Sequence, residues 1–240
     1  MFVDSDDFIN GEVDMNELLN SLDGTDIIQY KMVYYYEKAD KYVYLKALND
    51  GINDKSIVDQ ISYKIKNDEF SVQACSKIVK RELLIQHDVF FEKGILSEDI
   101  DWSLKLYLHV KTMKTLNLDL YVYRQARKGS ISNTKSHKSI ESLLSIIQKW
   151  ANYDYESEET KTCYYNYIAY QYVILLSLMN KNNSIKEDRE EVSKMKYLLQ
   201  YDSCKKVHMS KTLFSLVGTK IGVKILKLYI KLKDSGLIKL

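Results

Sequence analysis

The sequence contains no proline, eight glycines and three cysteines in 240 residues. Cys75, Cys163 and Cys204 are far apart, odd in number and not in metal-ligand spacing, so free thiols in a reducing cytosol are expected. No segment reaches the roughly 18 consecutive apolar residues that a membrane span needs. Residues 1–10 are acidic and lack a basic start followed by an apolar run, so they do not read as a signal peptide. A glycine-rich phosphate loop is missing, which excludes a P-loop nucleotidase. His87, His109, His137 and His208 form no ligand spacing, and His109 reads as structural. A net charge of +2 points to no polyanion, so no nucleic-acid partner is expected. The missing proline and the 20 tyrosines read as compositional bias and carry no functional meaning by themselves.

Hydrophobic content of 45% and charged content of 28% suit a folded globular chain, long enough for one good-sized core or one domain with a helical appendage. The charge is segregated. Residues 1–30 hold Asp4, Asp6, Asp7, Glu12, Asp14, Glu17, Asp23 and Asp26 and no Lys or Arg. Residues 201–240 hold nine lysines against Asp202 and Asp234. An acidic start and a basic end suggest two different jobs.

Met1-Phe2-Val3 reads as the end of a strand opening into the carboxylate-rich loop Asp4-Ser5-Asp6-Asp7. Asp14 is placed to cap a helix over Met15–Leu22, with Glu17 three residues on and Gly24 as its stop. Ile27–Tyr36 and Lys41–Leu48 read as strands, and Ser56–Ile65 and Gln73–Leu84 as helices. Ser97 reads as the N-cap of a helix from Glu98 to about Lys111, with Ile100, Leu104 and Leu108 on one stripe. Leu118–Tyr123 reads as a strand before a polar stretch. From Ser139 the pattern is helical, over about 139–152, 158–180, 185–200 and 211–233. The expected organisation is a mixed α/β half over 1–133 and a helical part over 134–240.

Two carboxylates one residue apart at a strand end can aim at a common point, and hard cations take carboxylate oxygens. The same residues also suit a solvated turn. An EF-hand loop is excluded because Ile9 and Met15 stand where Gly and Glu are required. A haloacid-dehalogenase phosphatase is excluded because Phe8 replaces the needed Thr or Val. Glu98 and Asp99 fall in the first turn of a helix, where the dipole favours ionised carboxylates. Such a group facing a hydroxyl can act as a general base, and acidic residues there are equally ordinary helix-start chemistry. Arg124 can clamp a phosphate with its planar fork, or be a surface residue of a basic loop with Arg127 and Lys128.

Three segments in this order resemble family 2 glycosyltransferases of the GT-A fold. Phe2-Val3-Asp4-Ser5-Asp6-Asp7 resembles the family's strand and DxD motif. Phe90-Phe91-Glu92-Lys93-Gly94-Ile95-Leu96-Ser97-Glu98-Asp99-Ile100-Asp101-Trp102 is similar to its glycine turn and acidic helix start. Tyr121-Val122-Tyr123-Arg124, running on to Gly129-Ser130, resembles a third motif. Cys75-Ser76-Lys77 and Lys80-Arg81-Glu82-Leu83 resemble the stretch before the second. The resemblance covers about residues 1–133. It implies a partial GT-A, Rossmann-like nucleotide-diphospho-sugar transferase fold that starts at the DxD motif without the N-terminal, donor-holding half, followed by a helical region.

The resemblance further implies inverting sugar transfer from a nucleotide sugar, a UDP-sugar foremost, to a saccharide or lipid-linked acceptor in surface polysaccharide biosynthesis. Asp6 would ligate Mg²⁺ or Mn²⁺, Asp4 would touch the donor ribose or the metal, and Asp7 would assist. Asp99 would be the base, with Glu98 orienting the acceptor or holding the loop, and Trp102 would offer the acceptor an aromatic face or else lie in the core. Arg124 and Ser130 would face the diphosphate. The chain is expected to be incomplete as a catalyst alone; the alternative is a non-catalytic binding or membrane-surface protein derived from the fold. Lys220, Lys224, Lys227 and Lys231 make a basic helix face beside Ile221, Ile225, Leu228 and Leu232. That pattern suits either a surface helix packed on its own domain or peripheral contact through 211–233 with the inner membrane face of the cytoplasm.

Overall fold

The computed structural model describes residues 1–125, 136–180 and 184–234. They divide into two compact units, one of residues 1–61 and 69–134 and the other of residues 62–68 and 135–240.

The first unit is built on a mixed sheet of β1 (Phe8–Ile9), β2 (Ile27–Tyr36), β3 (Lys41–Tyr44), β4 (Lys77–Val79) and β5 (Met113–Arg124). The order is β1-β5-β2-β3, with β4 also on β2. β2 and β5 run parallel and the remaining pairs antiparallel. β2 is rich in β-branched and aromatic residues, which suit a pleated surface. It is buried on both faces over most of its length, as a strand flanked by partners and covered by helices must be. Ile28, Tyr30 and Met32 alternate onto one face with Leu18, Cys75, Leu120 and Tyr121. The register of β5 against β2 is irregular. Gln29 pairs with Thr115, Lys31 with Asp119 and Met32 with Tyr121, so β5 bulges there, and a Lys31–Asp119 ion pair of 3.0 Å sits at the irregularity.

Helices α1 (Met15–Leu22), α3 (Arg81–Gln86) and α4 (Glu98–Tyr107) follow the chain through this region, and α2 (Ile57–Lys66) starts in it, its residues 62–66 belonging to the second unit. Asp14 caps α1 by accepting from the Asn16 N–H at 2.9 Å. Three expectations are corrected here. Met1–Val3 forms no strand; the loop runs to Asp7 and the strand begins at Phe8, because Asp7 is anchored to β5 as described below. The helix expected over Gln73–Leu84 is a 3-10 turn, then β4, then α3, because Lys77-Ile78-Val79 pairs with the edge of β2 left open beyond β3. Ser97 stands at the N-cap of α4 as expected, although its backbone is left-handed (φ 60°) and its hydroxyl makes no cap bond. β3 is shorter than expected and β5 longer.

The second unit is helical: α5 (His137–Ala151), α6 (Glu158–Leu178), α7 (Lys186–Lys194), α8 (Lys205–Val217) and α9 (Thr219–Asp234), with a 3-10 turn over Met195–Gln200. Ile140, Leu143, Ile147, Trp150, Ile168, Leu175, Leu198 and Val207 fill its core. Some of the tyrosines acquire a physical role here. The hydroxyls of Tyr155 and Tyr165 donate to the carbonyls of Trp150 and Ala151 at 2.7 and 2.6 Å, satisfying carbonyls that the end of α5 leaves without helical partners. The helix expected over 211–233 is two helices, because Gly218 sits at φ 77° and breaks it. All three cysteines are free and buried.

Candidate active site

The acidic loop is held to the sheet by one tyrosine. The Tyr121 hydroxyl accepts from the Asp4 N–H at 3.1 Å and donates to Asp7 Oδ2 at 2.7 Å. The Arg124 N–H donates to Asp7 Oδ1 at 2.9 Å, and the Asp7 N–H closes a turn on the Asp4 carbonyl at 3.1 Å. Both oxygens of Asp7 are therefore engaged by the fold, and it fastens the loop. Phe2 anchors the other end, edge-on to Phe91 and Trp102 at 5.5 and 5.4 Å between ring centres. Asp4 and Asp6 project between these two anchors and are exposed.

Glu98 and Asp99 approach the loop from the start of α4. The Asp99 carboxyl is held above its ordinary value by burial, opposed by Lys77 and by the Ala74 N–H that reaches Oδ1 at 3.4 Å, and raised further by Glu98 and Asp4. The Asp4 carboxyl is likewise raised, first by partial burial and then by Asp7, Asp6 and Glu98. Carboxylates from two distant segments thus share one field. That field is surplus negative charge of the kind a cation relieves.

Among the described residues no group of three or more His, Cys, Asp or Glu side chains is arranged as a metal cage. Magnesium is commonly held by only one or two carboxylates, with phosphate oxygens and water completing the shell.

The remaining expected residues divide. Arg124 lies at the carboxyl end of β5, beside Asp7. Its guanidinium is 3.6 Å from Glu37 and lies over the Phe8 ring, and its Nε is buried without a hydrogen-bond partner among the described residues. Ser130 lies outside the described residues. Trp102 is 1% exposed, with Phe91 stacked on it at 5.1 Å and its Nε1 donating to the Val89 carbonyl at 3.2 Å. This corrects its reading as an open aromatic face for a sugar; Phe91, 36% exposed, covers it.

Reading the sequence missed two residues. Tyr121 looks like any aromatic residue of a strand. Lys77 lies fully buried, with Nζ donating to the Gln73 carbonyl at 2.8 Å and to Ser103 Oγ at 3.4 Å, and sits 5.6 Å from the centre of the Trp102 ring. Burial pushes its ammonium down to about 7, against the pull of Asp99 and Cys75. The Lys-Ile-Val run gave no sign that the lysine would be buried on the same side as Val79.

The carboxylates gather near the carboxyl ends of the parallel strands β2 and β5, where open α/β sheets bind ligands. A separate cleft of about 330 Å³ lies at the opposite, amino end of β2, lined by Leu22, Asp23, Gly24, Asp26, Val79 and Lys80 among others, and includes none of the expected residues.

No protein-family model matches the chain. It is 29% identical over 160 residues to "Glycosyltransferase GlyA" of Streptococcus pneumoniae serotype 4 (strain ATCC BAA-334 / TIGR4), a match over 62% of this chain and 22% of that protein. The chain thus spans about a fifth of the length of that curated relative. Its fold is similar to crystal structures of S. aureus TarS 1–349. The TM-score is 0.55 for the complex with UDP-GlcNAc and 0.51 for TarS 1–349 alone, each at 17% identity over 98% of this chain and 67% and 66% of theirs. Among the described residues no helix is long and apolar enough to cross a membrane.

Proposed function

We propose that this chain carries the acceptor-facing, metal-holding part of an inverting family 2 glycosyltransferase. It would act on a nucleotide sugar, a UDP-sugar foremost, and a saccharide or lipid-linked acceptor in surface polysaccharide biosynthesis. The observation that carries this reading is the shared field of Asp4, Asp6, Glu98 and Asp99, brought from the N-terminal loop and the start of α4 to one place near the carboxyl end of β5. Likeness to a glycosyltransferase in sequence and to TarS in fold supports the reaction class.

Each residue then has a task. Asp99, in the first turn of α4, takes the proton of the acceptor hydroxyl. The freed oxygen forms its bond to the anomeric carbon as the bond to the diphosphate oxygen breaks, and the nucleoside diphosphate leaves with that electron pair. Burial lifts the affinity of Asp99 for a proton above that of an ordinary carboxylate, which makes it a better base. Glu98, exposed beside it, orients the acceptor. Asp6, with Asp4 in support, would hold Mg²⁺ or Mn²⁺, which when bound neutralises charge growing on the leaving diphosphate. Arg124 faces the diphosphate with its planar fork once drawn from Glu37.

Calorimetric titration with UDP and Mn²⁺ tests the reading. Saturable, Mn²⁺-dependent binding is expected, lost in Asp6→Ala and kept in Asp99→Asn, and where transfer is reconstituted Asp99→Asn should lower kcat by about 10²-fold or more. Absence of UDP binding, or binding indifferent to Mn²⁺ and to Asp6→Ala, would overturn the proposal for this chain and leave a non-catalytic relative of the fold.

A further inference from the structure

Helix α9 presents two outward stripes that the proposed reaction does not use. Successive helical residues advance by about 100°, so Ile221, Ile225, Leu228 and Leu232 fall on one line. Ile221, Ile225 and Leu228 are 56%, 43% and 57% exposed, far more than packed core residues. Beside that line run Lys220, Lys224 and Lys231, all exposed. The fourth lysine of the repeat, Lys227, turns inward and donates to the Met179 carbonyl.

The flank of α9 next to that line, about 100° round from Ile221, is already occupied. Gly222 is buried and lies so close to Phe214 of α8 that a Cβ there would meet its ring at 2.4 Å. The helix is therefore seated through its glycine side, and its isoleucine–leucine line is left facing out. No Asp or Glu occurs between Lys205 and Lys233.

We infer that this face of α9 docks on an anionic lipid surface, lying in the interface with Ile221, Ile225 and Leu228 dipped among the acyl chains and Lys220, Lys224 and Lys231 at the headgroups. Two observations select a lipid. The apolar line is one residue wide and straight, which suits a planar boundary better than a groove, and it is bordered by like charges without a carboxylate among them. An apolar line with a lysine border is the pattern of interfacial helices, in which buried apolar area and attraction to anionic headgroups add.

The test is flotation of the full chain with vesicles of phosphatidylcholine alone and of equal parts phosphatidylcholine and phosphatidylglycerol. Binding to the mixed vesicles only, weakened by salt, is expected. Replacing Lys220, Lys224 and Lys231 with Gln should weaken it roughly a hundredfold, taking about 1 kcal/mol per lysine. Ile225→Asp with Leu228→Asp should abolish it, and because all five positions are exposed, circular dichroism should show the fold unchanged. No binding to mixed vesicles, or binding that neither set of substitutions alters, would overturn the inference. So would a concentration-dependent oligomer in sedimentation that Ile225→Asp dissolves, which would give the face to a second copy of the chain. None of these readouts involves UDP, Mn²⁺ or Asp99, so this inference and the proposed reaction stand or fall separately.

Discussion

Lys77 and Asp99 illustrate how burial writes chemistry that residue types alone do not reveal. Lys77 titrates near 7 in the folded protein and near 10.5 when unfolded. Between those values the unfolded chain binds a proton that the folded one does not, so stability rises with pH across that window. Each pH unit adds at most about 1.4 kcal/mol. Urea midpoints should increase from pH 7 to 9, and Lys77→Met should remove that increment. The same substitution deletes the cation that restrains Asp99, so the Asp99 carboxyl should titrate higher still when followed by carboxyl-carbon resonances. An Asp99 titration that stays in place would show that Lys77 has no hold on it. The neighbouring Cys75 thiol is pushed up to about 12, first by burial and then by Asp4, so it stays protonated and takes no part. The acidic pairs were legible in the sequence because their spacing is itself the signal. The core positions of Trp102 and Lys77 were not, since burial depends on Phe2, Phe91 and Ser103 arriving from elsewhere in the chain.

Among the elements, those read correctly carried their own punctuation. Helix α1 has Asp14 before it and Gly24 (φ 65°) after it, and β2 is a ten-residue run of strand formers. The stretch Gln73–Leu84 reads as one helix because a three-residue strand has too little sequence to show a period, and β4 exists only because β2 offers it an edge. Helix α9 gives a test at this scale. Gly222→Ala gains helix propensity of up to about 1 kcal/mol, but its methyl group would press on the buried ring of Phe214. Overpacking costs about 1–3 kcal/mol, so a net loss is expected, visible as a lower urea midpoint and relieved by adding Phe214→Leu. A gain in stability from Gly222→Ala alone would show that the α8–α9 contact yields freely.

For the whole molecule, the two compact units each bury their own aromatic centre, and the chain's two tryptophans fall one in each, Trp102 and Trp150, both 1% exposed. In Trp150→Phe the remaining indole reports the first unit, while far-ultraviolet circular dichroism reports mainly the helical second. Their denaturation midpoints should differ; coincidence would mean one cooperative transition. Segregated charge was visible in the sequence, acidic at one end and basic at the other. The break at Gly218 was not, because the apolar period runs on through it, from Leu213, Phe214 and Val217 to Ile221.

The irregular register of β5 has a reach beyond its strand. Continued evenly from Thr115, the pairing would set Leu118 beside Met32; instead Tyr121 stands there, so three residues have been slipped into the strand. Three is odd, and in a pleated strand an odd insertion exchanges which residues face which side. It also draws Tyr121 back by about 10 Å at about 3.3 Å per residue. The hydroxyl that fastens Asp4 and Asp7 is therefore aimed by arithmetic upstream of it. A deletion of one residue near Asn117 would leave every acidic side chain in the sequence and still change the phase of the strand that holds them.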